Sequence, residues 1–323
     1  MSNLNQQKLP LAIFLMGPTA SGKTGAAVYL HSKLPVEIIS VDSALVFKDM
    51  NIGTAKPEAA ALAKAPHHLI DMIDPISAYS AANFRIDALR LMADITARGK
   101  IPLLVGGTML YFKALEGGLS GLPEGNPEVR ARLDARAALI GWPAMHEKLA
   151  LVDPETAARL KPNDAQRIQR ALEVFEITGE SMSSLFAKQS SEALPYNVLK
   201  IALVPSDRKV LHERIALRFQ QMLAAGFLNE VKALLSKYPD LTAESTAMRC
   251  VGYRQALEHL NGEYDANNLR DRGIFATRQL AKRQLTWLRG MDDMIELDCL
   301  NPDLNALILQ QVEQFIANKN TGK

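Results

Sequence analysis

Short runs of mostly apolar residues, each cut off by glycine, proline or a polar pair, set the first-order pattern of this chain. Leu11–Met16 ends at Gly17-Pro18, Val36–Val41 ends at Asp42-Ser43, and residues 101–105 end at Gly106-Gly107-Thr108. A fourth run covers residues 200–204. Runs of this length, without strict alternation and bounded by turn residues, predict strands buried on both faces, as in a parallel sheet. An alanine-rich helical stretch follows from Thr24, and other helical spacers separate the strands. Alternation of strands and helices predicts an α/β fold, and ligands of open parallel sheets bind beyond the carboxyl ends of the strands. The polar ends at 17–24, 42–43 and 106–108 are therefore expected to converge.

Between Gly117 and Pro195 the pattern changes to helix-like runs rich in Ala, Arg, Glu and Leu, opened by the loop Gly117-Gly118-Leu119-Ser120-Gly121-Leu122-Pro123. This predicts an all-α insertion domain over 118–196, set into a core made of 1–117 and 197–323. After the strand at 200–204 the chain closes with helices, expected at 211–237 and 272–290 among others. There is no internal repeat and no low-complexity tract.

Residues 17–24 read Gly17-Pro18-Thr19-Ala20-Ser21-Gly22-Lys23-Thr24, the G-x-x-x-x-G-K-[ST] pattern between a strand and a helix. Glycines there let backbone N–H groups turn toward phosphate oxygens, and the helix N-terminus adds its positive end. Lys23 adds charge and Thr24 is a ligand for Mg²⁺. A parallel sheet with this loop is P-loop NTPase-like. The loop alone does not choose among nucleotide hydrolysis, phosphoryl transfer and diphosphate departure, since all need the same cradle for negative charge. No N-K-x-D motif follows in the core, which argues against a GTPase. Asp42, at the next strand end, reads either as a magnesium-organising carboxylate or as a general base facing the phosphates.

Composition adds limits. The 37 Lys and Arg against 35 Asp and Glu leave a net charge of +2, too mild to announce a nucleic-acid partner by itself. The two cysteines, Cys250 and Cys299, make neither a metal set nor a disulfide framework, which points to a reducing cytoplasm. The apolar run at the first strand is far too short for a signal-peptide core or a membrane span, so neither secretion nor insertion is expected.

Seven segments, in order, carry a closer likeness: GPTASGKT at 17–24, DSALVF at 42–47, IGTAKP at 52–57, GGTMLY at 106–111, QRIQRALE at 166–173, RCVGYR at 249–254 and TRQLAKRQLTWLR at 277–289. The chain resembles the tRNA dimethylallyltransferases over about residues 10 to 290. The resemblance implies transfer of a dimethylallyl group from its diphosphate to the exocyclic amine of the adenosine just 3′ of a tRNA anticodon, with Mg²⁺ and a P-loop that holds the diphosphate. It implies Asp42 as base, Lys23 and Thr24 on the diphosphate and Mg²⁺, and Arg218 as the arginine that contacts the diphosphate. Leu45 and Phe47 stand where many members have Gln and Tyr, so an amide and a phenol hydroxyl are missing.

For tRNA, the resemblance points to Asp42, Ser43, Ala44 and Leu45, to Thr108, to Arg130, Gln166, Arg167, Ile168, Gln169 and Arg170 in the insertion, and to Arg249, Cys250, Val251, Gly252, Tyr253 and Arg254. A basic tract without acids adds Arg278, Lys282, Arg283 and Arg289, with Arg272 and Trp287 beside them. Arg278 and Lys282, four apart, are expected on one helix face suited to phosphates. By charge alone such a run is a solvated face. His67-His68 with Asp71 and Asp74 lack the spacing of a ligand set, Cys250 reads as a small buried residue rather than a nucleophile, and Met109 reads as core. The enzyme is expected to be a monomer that meets the anticodon stem-loop. Two other readings stay open from the residues alone: a nucleoside or small-molecule kinase using Asp42, Arg214 and Arg218, and an RNA-binding NTPase that acts as a switch.

Overall fold

The computed structural model describes residues 9–118, 122–188 and 193–320; the polar N-terminus, the 119–121 tip of the loop expected to open the insertion, and 189–192 lie outside them. Contacts divide the chain into two units, Met1–Leu115 with Pro195–Lys323, and Glu116–Leu194.

In the larger unit, β1 (Leu11–Met16), β2 (Val36–Val41), β3 (His67–His68), β4 (Ile101–Gly106), β5 (Asn197–Val204) and β6 (Met294–Asp298) form one sheet. The order is β3-β2-β4-β1-β5-β6 and each adjacent pair is parallel. Ile13, Phe14, Leu15 and Met16 are fully buried, as befits an inner strand covered on both faces. The chain fills one side of β1 first and crosses to the other at β5, so the carboxyl end of β1 is the switch point of the sheet. Gly106 is in register with both Met16 and Val41, which brings the ends of β1, β2 and β4 to one level.

Helices α1 (Lys23–Lys33), α2 (Ala59–Lys64), α3 (Ala81–Ala97) and α4 (Met109–Gly117) follow or separate the first strands. Ser80 caps α3, accepting from Asn83 N–H. Two strands escaped the sequence pattern. β3 has only two residues, both histidine, and β6 is an edge strand, so its MIELD sequence is only partly covered.

The insertion unit holds α5 (Pro127–Ile140), α6 (Trp142–Val152), α7 (Pro154–Arg159), α8 (Ala165–Thr178) and α9 (Met182–Ala187). Asn126, Asp153 and Ser181 cap α5, α7 and α9 through their side chains. Leu133, Met145, Leu149, Ile168 and Leu172 build its small core. Glu173 is fully buried there; its carboxylate accepts from Arg130 Nε at 2.8 Å, Arg170 Nη1 at 2.6 Å and Asn126 N at 2.7 Å. Burial opposes its ionisation, but these donors outweigh burial and hold its pKa below the usual carboxylate value.

Returning to the larger unit, α10 (Arg208–Ala224), α11 (Phe227–Lys237), α12 (Tyr253–Leu260), α13 (Ala266–Leu288) and α14 (Leu304–Asn320) complete it. The single helix expected over 211–237 is two helices, because Gly226 at φ 94° breaks the run in the left-handed region. α13 begins earlier than expected, where the Asp265 side chain accepts from Asn268 N–H. α10 and α13 approach so closely that a Cβ on Gly273 would lie 2.0 Å from the Phe219 ring. That contact sets Arg218 of α10 and Gln284 of α13 over the end of β1.

Candidate active site

The three polar strand ends meet. The N–H of Thr108 donates to Val41 O at 3.2 Å, and Thr108 Oγ1 accepts from Ser43 N at 3.1 Å. A Cβ on Gly106 would fall 2.0 Å from Val41 O, so only glycine lets β4 end this close to β2. Gly17 is as confined, its hypothetical Cβ meeting Ser21 Oγ at 2.8 Å and Leu203 O at 2.9 Å.

Above these ends lies a cavity of about 590 Å³, lined by residues 19–24, Asp42, Leu45, Arg218, Cys250 and Gln284 among others. Gly22, at φ 86°, is the N-cap of α1, so the loop turns directly into the helix and aims the first-turn N–H groups at the cavity. Lys23 Nζ donates to Pro18 O at 2.6 Å, folding the side chain back across its own loop. Burial brings its pKa down to about 8, the Asp42 carboxylate opposes that shift, and the Arg218 charge adds to it. Burial also lowers the Arg218 pKa, again against the pull of Asp42. Two enclosed cations thus face one carboxylate in a space otherwise suited to an anion.

Asp42 Oδ1 accepts from Ala44 N at 2.8 Å and Leu45 N at 3.4 Å, a local turn that fixes the carboxylate at the mouth of the strand. Leu45 lines the cavity, and Phe47 is wholly buried in a core cluster with Phe227 and Tyr253. Cys250 lines the cavity too. Burial, then the Asp42 charge, pushes its thiol up to about 12, which removes it as a nucleophile at neutral pH.

Three contributions were invisible in the sequence pattern. Gln284 bridges two strand ends: its Oε1 accepts from Thr19 N at 2.8 Å and its Nε2 donates to Gly107 O at 2.9 Å. Glu230 of α11 accepts from the N–H groups of Asn51, Ile52 and Gly53 and from the Tyr253 hydroxyl, pinning the segment that lines the cavity at Gly53, Thr54 and Ala55. Ser40 lines the cavity, and its Oγ is enclosed without a hydrogen-bond partner among the described residues. Gln284 lay in a segment that carried the likeness, Ser40 in the run Val36–Val41 and Glu230 in the helix expected over 211–237, but nothing distinguished any of the three from its neighbours.

The expected tRNA residues fall into two groups. Ser43, Gln166, Arg167, Arg249, Arg254, Lys282, Arg283 and Arg289 are exposed. Arg130 and Arg170 are committed to Glu173, and Gln169 donates to Asp134 Oδ1 at 2.7 Å. Two expectations are corrected. Ile168 is fully buried in the insertion core, and Tyr253 is fully buried with its ring edge-on to Phe227, so neither side chain is open to an RNA. Gly252 is buried as well, at φ 94°. Arg278 is half-buried, with Nε enclosed and without a partner among the described residues, so it does not share the free face of Lys282.

His67 Nδ1 lies 2.7 Å from Ala65 O and His68 Nε2 lies 3.1 Å from Glu37, and the described residues hold no cluster of three or more His, Cys, Asp or Glu able to bind a metal. No described helix is long and apolar enough to cross a membrane.

Comparison with known proteins adds three findings. The profile of the IPP transferase family matches residues 45–291. A protein of Methylobacillus flagellatus named tRNA dimethylallyltransferase is 65% identical over 308 residues, 95% of this chain and 98% of that protein, and a namesake from Janthinobacterium sp. (strain Marseille) is 61% identical over 94% and 97%. Among solved structures, the full-length tRNA isopentenylpyrophosphate transferase of Bacillus halodurans is similar at 34% identity and TM-score 0.68, covering 96% of each chain. A eukaryotic dimethylallyltransferase acting on tRNA is similar at 28% identity and TM-score 0.80, over 96% of this chain and 80% of that one.

Proposed function

This chain belongs to the IPP transferase family and is a prenyltransferase that modifies tRNA, and from that premise we propose how its cavity performs the reaction. The donor is dimethylallyl diphosphate and the acceptor is the N6 amine of the adenosine 3′-adjacent to the anticodon. The observation that carries the reading is one cavity in which the P-loop, Lys23 and Arg218 face the carboxylate of Asp42.

The diphosphate is held by the first-turn N–H groups of α1, by Lys23 and by Arg218. These donors act where charge grows as the allylic carbon–oxygen bond breaks and its electron pair passes to the diphosphate. An adenine amine is a weak nucleophile because its lone pair is delocalised into the ring. As that pair forms the new nitrogen–carbon bond, the amine proton passes to Asp42. Reaching the amine requires the base to leave its stack, so exposed cations at the C-terminal end of α13, among them Lys282, Arg283 and Arg289, grip the anticodon stem-loop backbone.

The cavity also fits Mg²⁺. Thr24 and Ser40 line it, Ser40 Oγ has no protein partner among the described residues, and hydroxyl oxygens suit this ion when substrate phosphates complete the set, which leaves the Asp42 carboxylate to act as base. Bound there, Mg²⁺ would supply further neutralisation of the leaving group. A nucleoside kinase would use the same loop for ATP. Incubation of unmodified tRNA with Mg²⁺ and either labelled dimethylallyl diphosphate or labelled ATP separates the two: label entering tRNA from the prenyl donor supports the reading, and phosphate entering a small acceptor overturns it.

A further inference from the structure

The two ends of the anion cradle are unequal. Pro18 has no N–H to offer, and the N–H of Thr19 is already spent on Gln284 Oε1 at 2.8 Å. The entrance half of the loop therefore presents no free backbone donor to an anion. At the other end, the first-turn N–H groups of α1 lack intrahelical partners, as at any helix start, and Lys23 adds its charge.

Gln284 cannot easily release Thr19. It is nine-tenths buried, and its Nε2 is anchored on Gly107 O at 2.9 Å. Gly107 leaves room for it, since a Cβ there would stand 2.2 Å from that Nε2. The Thr19 hydroxyl lies 3.5 Å from Arg218 Nη1, so the side chain of Thr19 is oriented by a second neighbour.

We propose that Gln284 is a specificity-determining positioning residue: by occupying the Thr19 N–H it closes the entrance end of the P-loop, so that the cradle accepts a two-phosphate group and rejects a third phosphoryl group. The inference rests on the reading of this loop as the site of the donor's leaving group. Ser21 N donates within the loop to Pro18 O at 3.4 Å, so two phosphoryl groups are served by the first-turn N–H groups of α1 and by the two cations. A third would be desolvated against Pro18 and an amide carbonyl oxygen, with no N–H to receive it. The protein thus separates its prenyl donor from the nucleoside triphosphates that the same sequence motif otherwise suits.

Gln284→Met keeps the length of the side chain and removes both hydrogen bonds. Wild type and variant are titrated calorimetrically with inorganic diphosphate and inorganic triphosphate, each with Mg²⁺, and tRNA binding is measured alongside. Wild type should prefer diphosphate at least about tenfold, and Gln284→Met, with tRNA affinity unchanged, should narrow that preference to about threefold or less. Gln284→Asn draws the amide back by one methylene from both Thr19 and Gly107 and should narrow the preference in the same way, which covers the case in which the methionine variant fails to fold. Equal wild-type affinity for the two anions, or an unaltered preference in a tRNA-binding Gln284→Met or Gln284→Asn, overturns the inference. Wild type that binds neither anion overturns instead the reading of the loop as the donor site.

Discussion

The hydroxyl of Tyr253 donates to Oε1 of Glu230 at 2.5 Å, and the same carboxylate takes the N–H groups of Asn51, Ile52 and Gly53 at 2.9, 2.6 and 3.1 Å. One side chain of α11 therefore ties α12 to the segment that forms a wall of the cavity. Gly53 is part of this fit: a Cβ there would lie 2.2 Å from the Phe227 ring and 2.6 Å from that of Tyr253.

Removing that carboxylate should cost more than removing one donor. Glu230→Ala strands the Tyr253 hydroxyl and three N–H groups and should lose at least about 2 kcal/mol in urea unfolding, whereas Tyr253→Phe should lose about 1 kcal/mol. Equal losses in the two variants would show that the three backbone bonds contribute nothing.

Asp42→Asn preserves the acceptor that Ala44 and Leu45 use and removes the base. The rate of prenyl transfer should fall at least about a hundredfold, with tRNA affinity nearly intact. Single-turnover kinetics with saturating tRNA give the rate directly, and an unchanged value removes Asp42 from the role.

Lys23 makes diphosphate binding depend on pH. Its folded pKa is depressed to about 8, so the free enzyme carries the ammonium below that value and loses it as pH rises through it. A bound anion favours the charged form, so binding above about pH 8 should take up a proton, seen as a buffer-dependent heat, and affinity should fall as pH climbs. Lys23→Arg, which stays charged, should flatten that lysine-linked fall. A wild-type profile no steeper than that of the arginine variant would contradict the assignment.

Lys282→Ala tests the RNA face. tRNA should bind more weakly, and the slope of log affinity against log salt should shrink by about 1 if one phosphate contact is lost. A slope equal to that of wild type counts against contact at this position.

The sequence was informative where structure is local. An apolar run ending in glycine or Asp-Ser marks a strand end, which is why the sequence alone places the P-loop, Asp42 and Thr108 at one site. Gln284 and Thr19, by contrast, are 265 positions apart, and Glu230 and Gly53 are 177 apart. No periodicity or turn signal reports a bridge over such a distance. Motif membership also failed to report facing: Ile168 and Tyr253 belong to segments that carried the family likeness, yet both side chains serve cores. Edge strand β6 was missed because partial solvation dilutes its apolar run.

The most direct test of the central claim is the distance from the target N6 amine to the Asp42 carboxylate in a crystal of the ternary complex, formed with an anticodon stem-loop and an unreactive thiolo analogue of dimethylallyl diphosphate. The account predicts hydrogen-bond distance, about 3 Å, with the diphosphate oxygens on the N–H groups that follow Thr19. A target base stacked in its loop away from Asp42, or a diphosphate bound outside residues 17–24, would contradict it.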